Sequence, residues 1–135
     1  MKTLLLISVL VTATIYHAVP EQTNEDYLTT ASLKKINPDN PAIHRWIAVS
    51  RDLEKLGFTM GKQVRICGTG NLDGVWTIED RMNKRWTKRI DFLVNTTRKY
   101  GKWGNVSIEL LHNPTKMKAK ELFKIPKKRC TIPCI

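Results

Sequence analysis

Two aspartates, Asp80 and Asp91, bracket a basic loop carrying Arg81, Lys84, Arg85, Lys88 and Arg89 together with Trp86. Paired carboxylates can divide acid–base work: a protonated one delivers a proton to a leaving group, and an ionised one stabilises positive charge. Asp91 lies between Ile90 and Phe92 and is the better candidate for the protonated partner, because apolar burial disfavours the charged form. Asp80, beside Arg81, is expected to stay ionised. The same spacing also fits a plainer reading, a hairpin-like connection whose acids offset the nearby cations. Spacing alone leaves both readings open.

The positioning elements read as strands. Residues 75–80 alternate so that Trp76, Ile78 and Asp80 share one face and Val75, Thr77 and Glu79 the other. Residues 89–94 place Ile90, Phe92 and Val94 opposite Asp91 and Leu93. Both acids are thus expected near strand ends, where a rigid sheet can aim them at a cleft. A short strand from Thr14 precedes a polar, acidic loop (Glu21, Glu25, Asp26), and the prolines of NPDNP make residues 32–44 an irregular connection. Residues 46–49 form a brief strand, after which Ser50 caps a short helix through Leu56 that Gly57 ends. A strand over 64–67 leads into the turn GTGNLDG, which is no phosphate loop, since a strand follows it and the Gly-Lys-Ser/Thr ending is missing. Asn95 caps a helical turn through Tyr100, with Gly101 as its stop, and Val106, Ile108 and Leu110 mark a final strand. Many short strands with one or two short helices indicate an all-β barrel.

With 135 residues and 41% hydrophobic content the chain has material for a single domain. Residues 1–111 carry 16 Lys or Arg against 11 acids (+5) and residues 112–135 carry 7 against 1 (+6), so more than half of the net +11 sits in the tail. That balance favours a polyanionic or acidic neighbour. Lys2 and the apolar run 4–11, too short to span a bilayer, read as an export signal with cleavage after Ala13, giving a signal peptide over 1–13; residues 9–16 are also rich enough in β-branched side chains for a buried first strand. No cysteine follows the run in a lipoprotein-like position. Cys67 reads as a small buried hydrophobe, while Cys130 and Cys134 can pair with each other or leave one for Cys67. His17, His44 and His112 show no ligand spacing with the cysteines, so no metal is expected. Trp46 and Trp76 fall in strand patterns and belong to the core; Trp103 is left undecided. Nucleic-acid binding is supported by charge but opposed by the export signal and the lack of a recognised module.

The segments TTAS (29–32), WIAVSRDL (46–53), GFTMGKQVRI (57–66) and DRMNKRWTKRIDFL (80–93) resemble the double-psi β-barrel of bacterial cell-wall proteins: rare lipoprotein A, the three-aspartate domain of membrane-bound lytic transglycosylase A and, more distantly, expansins. The resemblance covers about residues 14–111 and implies a six-stranded double-psi barrel, with 112–135 as a basic tail. Asp91 then matches the catalytic acid and Asp80 its supporting carboxylate; Asp80-Arg81 also matches the Asp-Arg pair of rare lipoprotein A. Met82 and Asn83 stand where the transglycosylase motif has glycines, and Ser50 where that family has a further acid or rare lipoprotein A a histidine. Serine can hydrogen-bond a substrate hydroxyl but cannot act as an acid near neutral pH.

The implied activity is glycan cleavage in which Asp91 protonates the leaving oxygen and then, as base, draws the proton from the sugar's own C6 hydroxyl, with no cofactor. Trp86 is the candidate for stacking on a sugar ring, and Arg81, Arg85 and Arg89 for gripping peptide carboxylates; a solvated basic loop explains these cations as readily. The alternative is a non-catalytic, expansin-like wall-binding or wall-loosening module. Either way the expected protein is a secreted or periplasmic monomer bound to peptidoglycan glycan strands, held near an anionic wall or membrane surface by its tail.

Overall fold

A computed structural model describes residues 8–20 and 26–111. The expected segments over residues 1–7 and 112–135, with Cys130, Cys134 and His112, lie outside the described residues.

The fold is all-β. Six strands close into one barrel in the order β1-β5-β2-β4-β3-β6: β1 (Ser8–Tyr16), β2 (Trp46–Val49), β3 (Gln63–Cys67), β4 (Gly74–Arg81), β5 (Arg89–Leu93) and β6 (Lys102–Leu110). β1 runs parallel to β5 and β2 parallel to β4, and the remaining neighbours are antiparallel. Closure leaves no sheet edge open.

The period-2 pattern sends one face of each strand inward. Val11 and Ala13 of β1, Ile47 and Val49 of β2, Val64 and Ile66 of β3, Trp76 and Ile78 of β4, Ile90 and Phe92 of β5, and Val106, Ile108 and Leu110 of β6 form one buried cluster. Trp76 is 2% exposed, meets Phe92 edge-on at 4.7 Å and donates its indole N–H to Leu72 O at 2.7 Å. Trp103 packs against the same cluster, edge-on to Phe92 at 6.1 Å. Trp46 is half-buried and stacks on His44 rather than joining the core.

One α-helix, α1 (Arg51–Lys55), follows β2, and a 3-10 turn (Pro41–His44) occupies part of the stretch expected to be irregular; proline opens it at a position where a missing N–H costs nothing. The helical turn expected after Asn95 does not form. Asn95 Oδ1 instead accepts the Ala42 N–H and its Nδ2 donates to Asn40 Oδ1, both at 2.9 Å, and the segment keeps only the bond from Arg98 N to Asn95 O. Gly101 has a different reason from helix termination: a Cβ there would lie 2.6 Å from the Trp103 ring and 2.9 Å from Ile15.

β1 begins at Ser8, not at residue 14. The expected cleavage point after Ala13 falls inside it, between residues that pair with Trp103 and Lys102 on one side and Ile90 and Asp91 on the other. Cys67 is buried, as expected, and is disulfide-bonded, which is the outcome left open in which a tail cysteine pairs with it; its partner lies outside the described residues.

Candidate functional site

Asp80 and Asp91 belong to one register row on the outer face of the barrel. Thr14 of β1 pairs with Asp91 of β5, Asp91 with Ala48 of β2, and Ala48 with Asp80 of β4. The acids are therefore two strand spacings apart along the sheet, roughly 10 Å, with the small, buried side chain of Ala48 between them.

Asp80 reaches this face through a register slip. Ile47 pairs with Ile78 but Ala48 with Asp80, so β4 advances two residues where β2 advances one. A one-residue slip reverses the facing of everything beyond it. Asp80 therefore parts from Trp76 and Ile78, whose face the alternation assigned it, and joins the side of Asp91. There it accepts hydrogen bonds from the Tyr16 hydroxyl at 3.0 Å, Ala31 N–H at 3.0 Å and its neighbour Arg81 N–H at 2.9 Å. The turn over residues 29–32 is thus docked on the end of β4, with Ser32 N–H bonding Glu79 O at 3.1 Å.

Asp91 accepts the Thr14 hydroxyl. Burial pushes its carboxyl above the ordinary carboxylate range; the Thr14 bond and the Arg89 charge pull it down without offsetting burial, and Asp80 pushes the same way as burial. Tyr16, half-buried as a residue, carries a hydroxyl that lies deeper, and burial followed by the charge and hydrogen bond of Asp80 raises its pKa well above the ordinary phenol value. The row thus joins a carboxyl displaced toward its protonated form, a second carboxyl held by three donors and a phenol that stays neutral. Thr14 and Tyr16 escaped the sequence reading because β1 lies more than 60 residues from its partners, the Tyr16–Asp80 separation being 64; only alternation within β1 hinted at their outward facing.

The other sequence candidates stand elsewhere. Ser50 is 0% exposed, its Oγ accepting the Arg89 N–H at 3.0 Å, and its hydroxyl bonds Asp52. It occupies the cap position of α1 without a capping bond, its hydroxyl committed to partners within the protein. Arg81 donates Nε and Nη2 to the two oxygens of Glu54, both at 2.7 Å. That fork raises the Arg81 pKa and holds Glu54 below its ordinary value. Asp52 accepts the Lys88 N–H, at 2.9 Å to the nearer oxygen. Burial pushes the Asp52 carboxyl up, but the Ser50 and backbone hydrogen bonds outweigh it and leave it low. The two acids of α1 therefore pin the two ends of the basic loop. Within the loop, the guanidinium groups of Arg85 and Arg89 lie 4.7 Å and 4.1 Å from the Trp86 ring centre. A sugar stacking on the covered ring surface has to displace them.

Among the described residues no group of three His, Cys, Asp or Glu side chains could hold a metal ion. No family model, curated protein or solved structure matches this chain.

Proposed function

We propose that the protein acts on peptidoglycan glycan strands by lytic-transglycosylase-like cleavage. The observation that carries the reading is the register row, in which burial shifts Asp91 toward its protonated form while Asp80, anchored by Tyr16, Ala31 and Arg81, faces the same side across Ala48. In this mechanism Asp91 gives its proton to the departing glycosidic oxygen as positive charge grows on the sugar, and Asp80 stabilises that charge. Asp91, now ionised, takes the proton of the C6 hydroxyl as that oxygen bonds to the anomeric carbon, which leaves an anhydro end and restores the acid. The two parallel pairings in an otherwise antiparallel closed barrel support a double-psi topology, since each requires a crossover connection. The Cys67 disulfide supports an exported, periplasmic or secreted protein.

A second reading, a wall-binding or wall-loosening module without cleavage, is favoured by Ser50, which stands sealed where the resembling families carry a further functional residue. Mass spectrometry of purified sacculi after incubation separates the two. Anhydro-ended fragments are expected, and their release should fall about 10² to 10⁴-fold in Asp91→Asn, with sacculus binding retained. Binding without fragments favours the second reading, and full release by a folded Asp91→Asn protein refutes the role of Asp91.

A further inference from the structure

A cavity of about 480 Å³ opens at the end of the barrel where β2 and β4 begin and β5 ends, and neither Asp80 nor Asp91 lines it. Its volume falls within the ordinary range of small-molecule sites. Leu72, Trp76 and Val94 supply an apolar wall, and the Trp76 indole N–H is committed to Leu72 O. Among the described residues no carboxylate lines the cavity.

Its charged side chains among the described residues, Arg45 and Arg98, are both cations. Arg45, 7% exposed and held in a left-handed backbone conformation with φ 53°, places its guanidinium 4.2 Å from the Trp76 ring centre and donates Nε to Val75 O at 3.0 Å. Burial lowers its pKa to about 10, the direction an approaching anion would reverse. Asn95 is spent on Ala42 and Asn40, and its bond to Asn40 Oδ1 leaves Asn40 Nδ2 as a donor at the mouth. Arg98 is anchored through its backbone, its N–H bonding Asn95 O at 3.0 Å and its carbonyl meeting His17 Nε2 at 2.7 Å, while its guanidinium has no partner among the described residues. The uncommitted side-chain nitrogens of Arg98 and Asn40 are donors, one of them charged.

We propose that this cavity binds a small organic carboxylate with an apolar body, the carboxylate taken by the Arg98 guanidinium and Asn40 Nδ2 and the body lying on Leu72, Val94 and Trp76. The planar fork of the Arg98 guanidinium matches a carboxylate, and the apolar wall matches an organic body rather than a bare inorganic anion. The site is independent of the glycan reading, since it shares no residue with the register row.

The test is a titration of the full chain with N-acetylphenylalanine, followed by NMR at the Trp76 indole N–H and the amides of residues 94–98. Saturable shifts confined to this end of the barrel are expected. Affinity should fall about tenfold or more for N-acetylphenylalanine amide, because a charge-assisted hydrogen bond is lost. The same loss is expected in Arg98→Gln and in Asn40→Asp, the latter keeping an acceptor for Asn95 while placing a carboxylate at the mouth. Absence of saturable shifts, equal affinity for acid and amide, equally tight binding of inorganic phosphate, or undiminished binding by a folded Arg98→Gln protein would each overturn the proposal.

Discussion

Asp91 combines two demands that pull against each other. Its carboxyl is buried, which favours the neutral form, and it accepts the Thr14 hydroxyl, which favours the charged one; burial prevails. The folded protein therefore holds this proton more tightly than the unfolded chain. Between the ordinary aspartate value of 3.8 and the raised folded value the native state binds more protons, so this group's contribution to stability declines as pH rises through that window. Asp91→Asn removes the cost of the buried charge. It should melt higher than the parent at neutral pH, with the difference shrinking as pH falls below the ordinary aspartate value. Thermal melts across pH check this, and a lower melting temperature for Asp91→Asn at neutral pH would mark the carboxylate as a structural acceptor instead. Trp76 plays the opposite part, at the centre of the core between Phe92 and the Arg45 guanidinium. Trp76→Ala should cost ~3 to 5 kcal/mol through the cavity it leaves, measured by denaturant unfolding.

At the scale of elements, β1 and α1 do most to hold the candidate site. β1 closes the barrel between β5 and β6, contributes Val11 and Ala13 to the core and carries Thr14 and Tyr16 to the acids. A chain beginning at Thr14 loses the β1 pairing of Ser8 to Ala13 with β6 and should fail to form a cooperatively folded barrel, as read by circular dichroism and melting. A well-folded product would show that β5 and β6 can close without that half-strand. α1 is only five residues long, yet Asp52 accepts the Lys88 backbone N–H and Glu54 the Arg81 guanidinium, at either end of the basic loop. Of the loop's cations, Arg81 is thereby paired with a carboxylate. Charge pattern displays the cations and the acids, but which acid meets which cation depends on where α1 lands.

For the molecule as a whole, all six strands lie between Ser8 and Leu110, so a chain ending at Leu111 keeps every barrel pairing. It should fold, but melt lower than the parent, because Cys67 loses its disulfide, a link worth about 2 to 4 kcal/mol. Reductant should lower the parent's melting temperature by a similar amount. Loss of the +6 carried by residues 112–135 should also weaken adsorption to anionic wall material at low salt more than at high salt. Undiminished adsorption at low salt would remove the tail from the wall contact. The sequence by itself determined the strand class and most strand positions, because burying one face of a sheet imposes a two-residue period visible in segments such as 46–49 and 89–93. It also displayed Asp80 and Asp91 as a pair framing a basic loop. Tertiary structure decided which side Asp80 faces, through a slip in register that no local pattern announces. It likewise brought Thr14 and Tyr16 to the acids and withdrew Ser50 and Arg81 into partnerships of their own. The physical reason is that alternation is a local property of one strand, whereas register, closure and hydrogen-bond partnership are fixed only when distant strands meet.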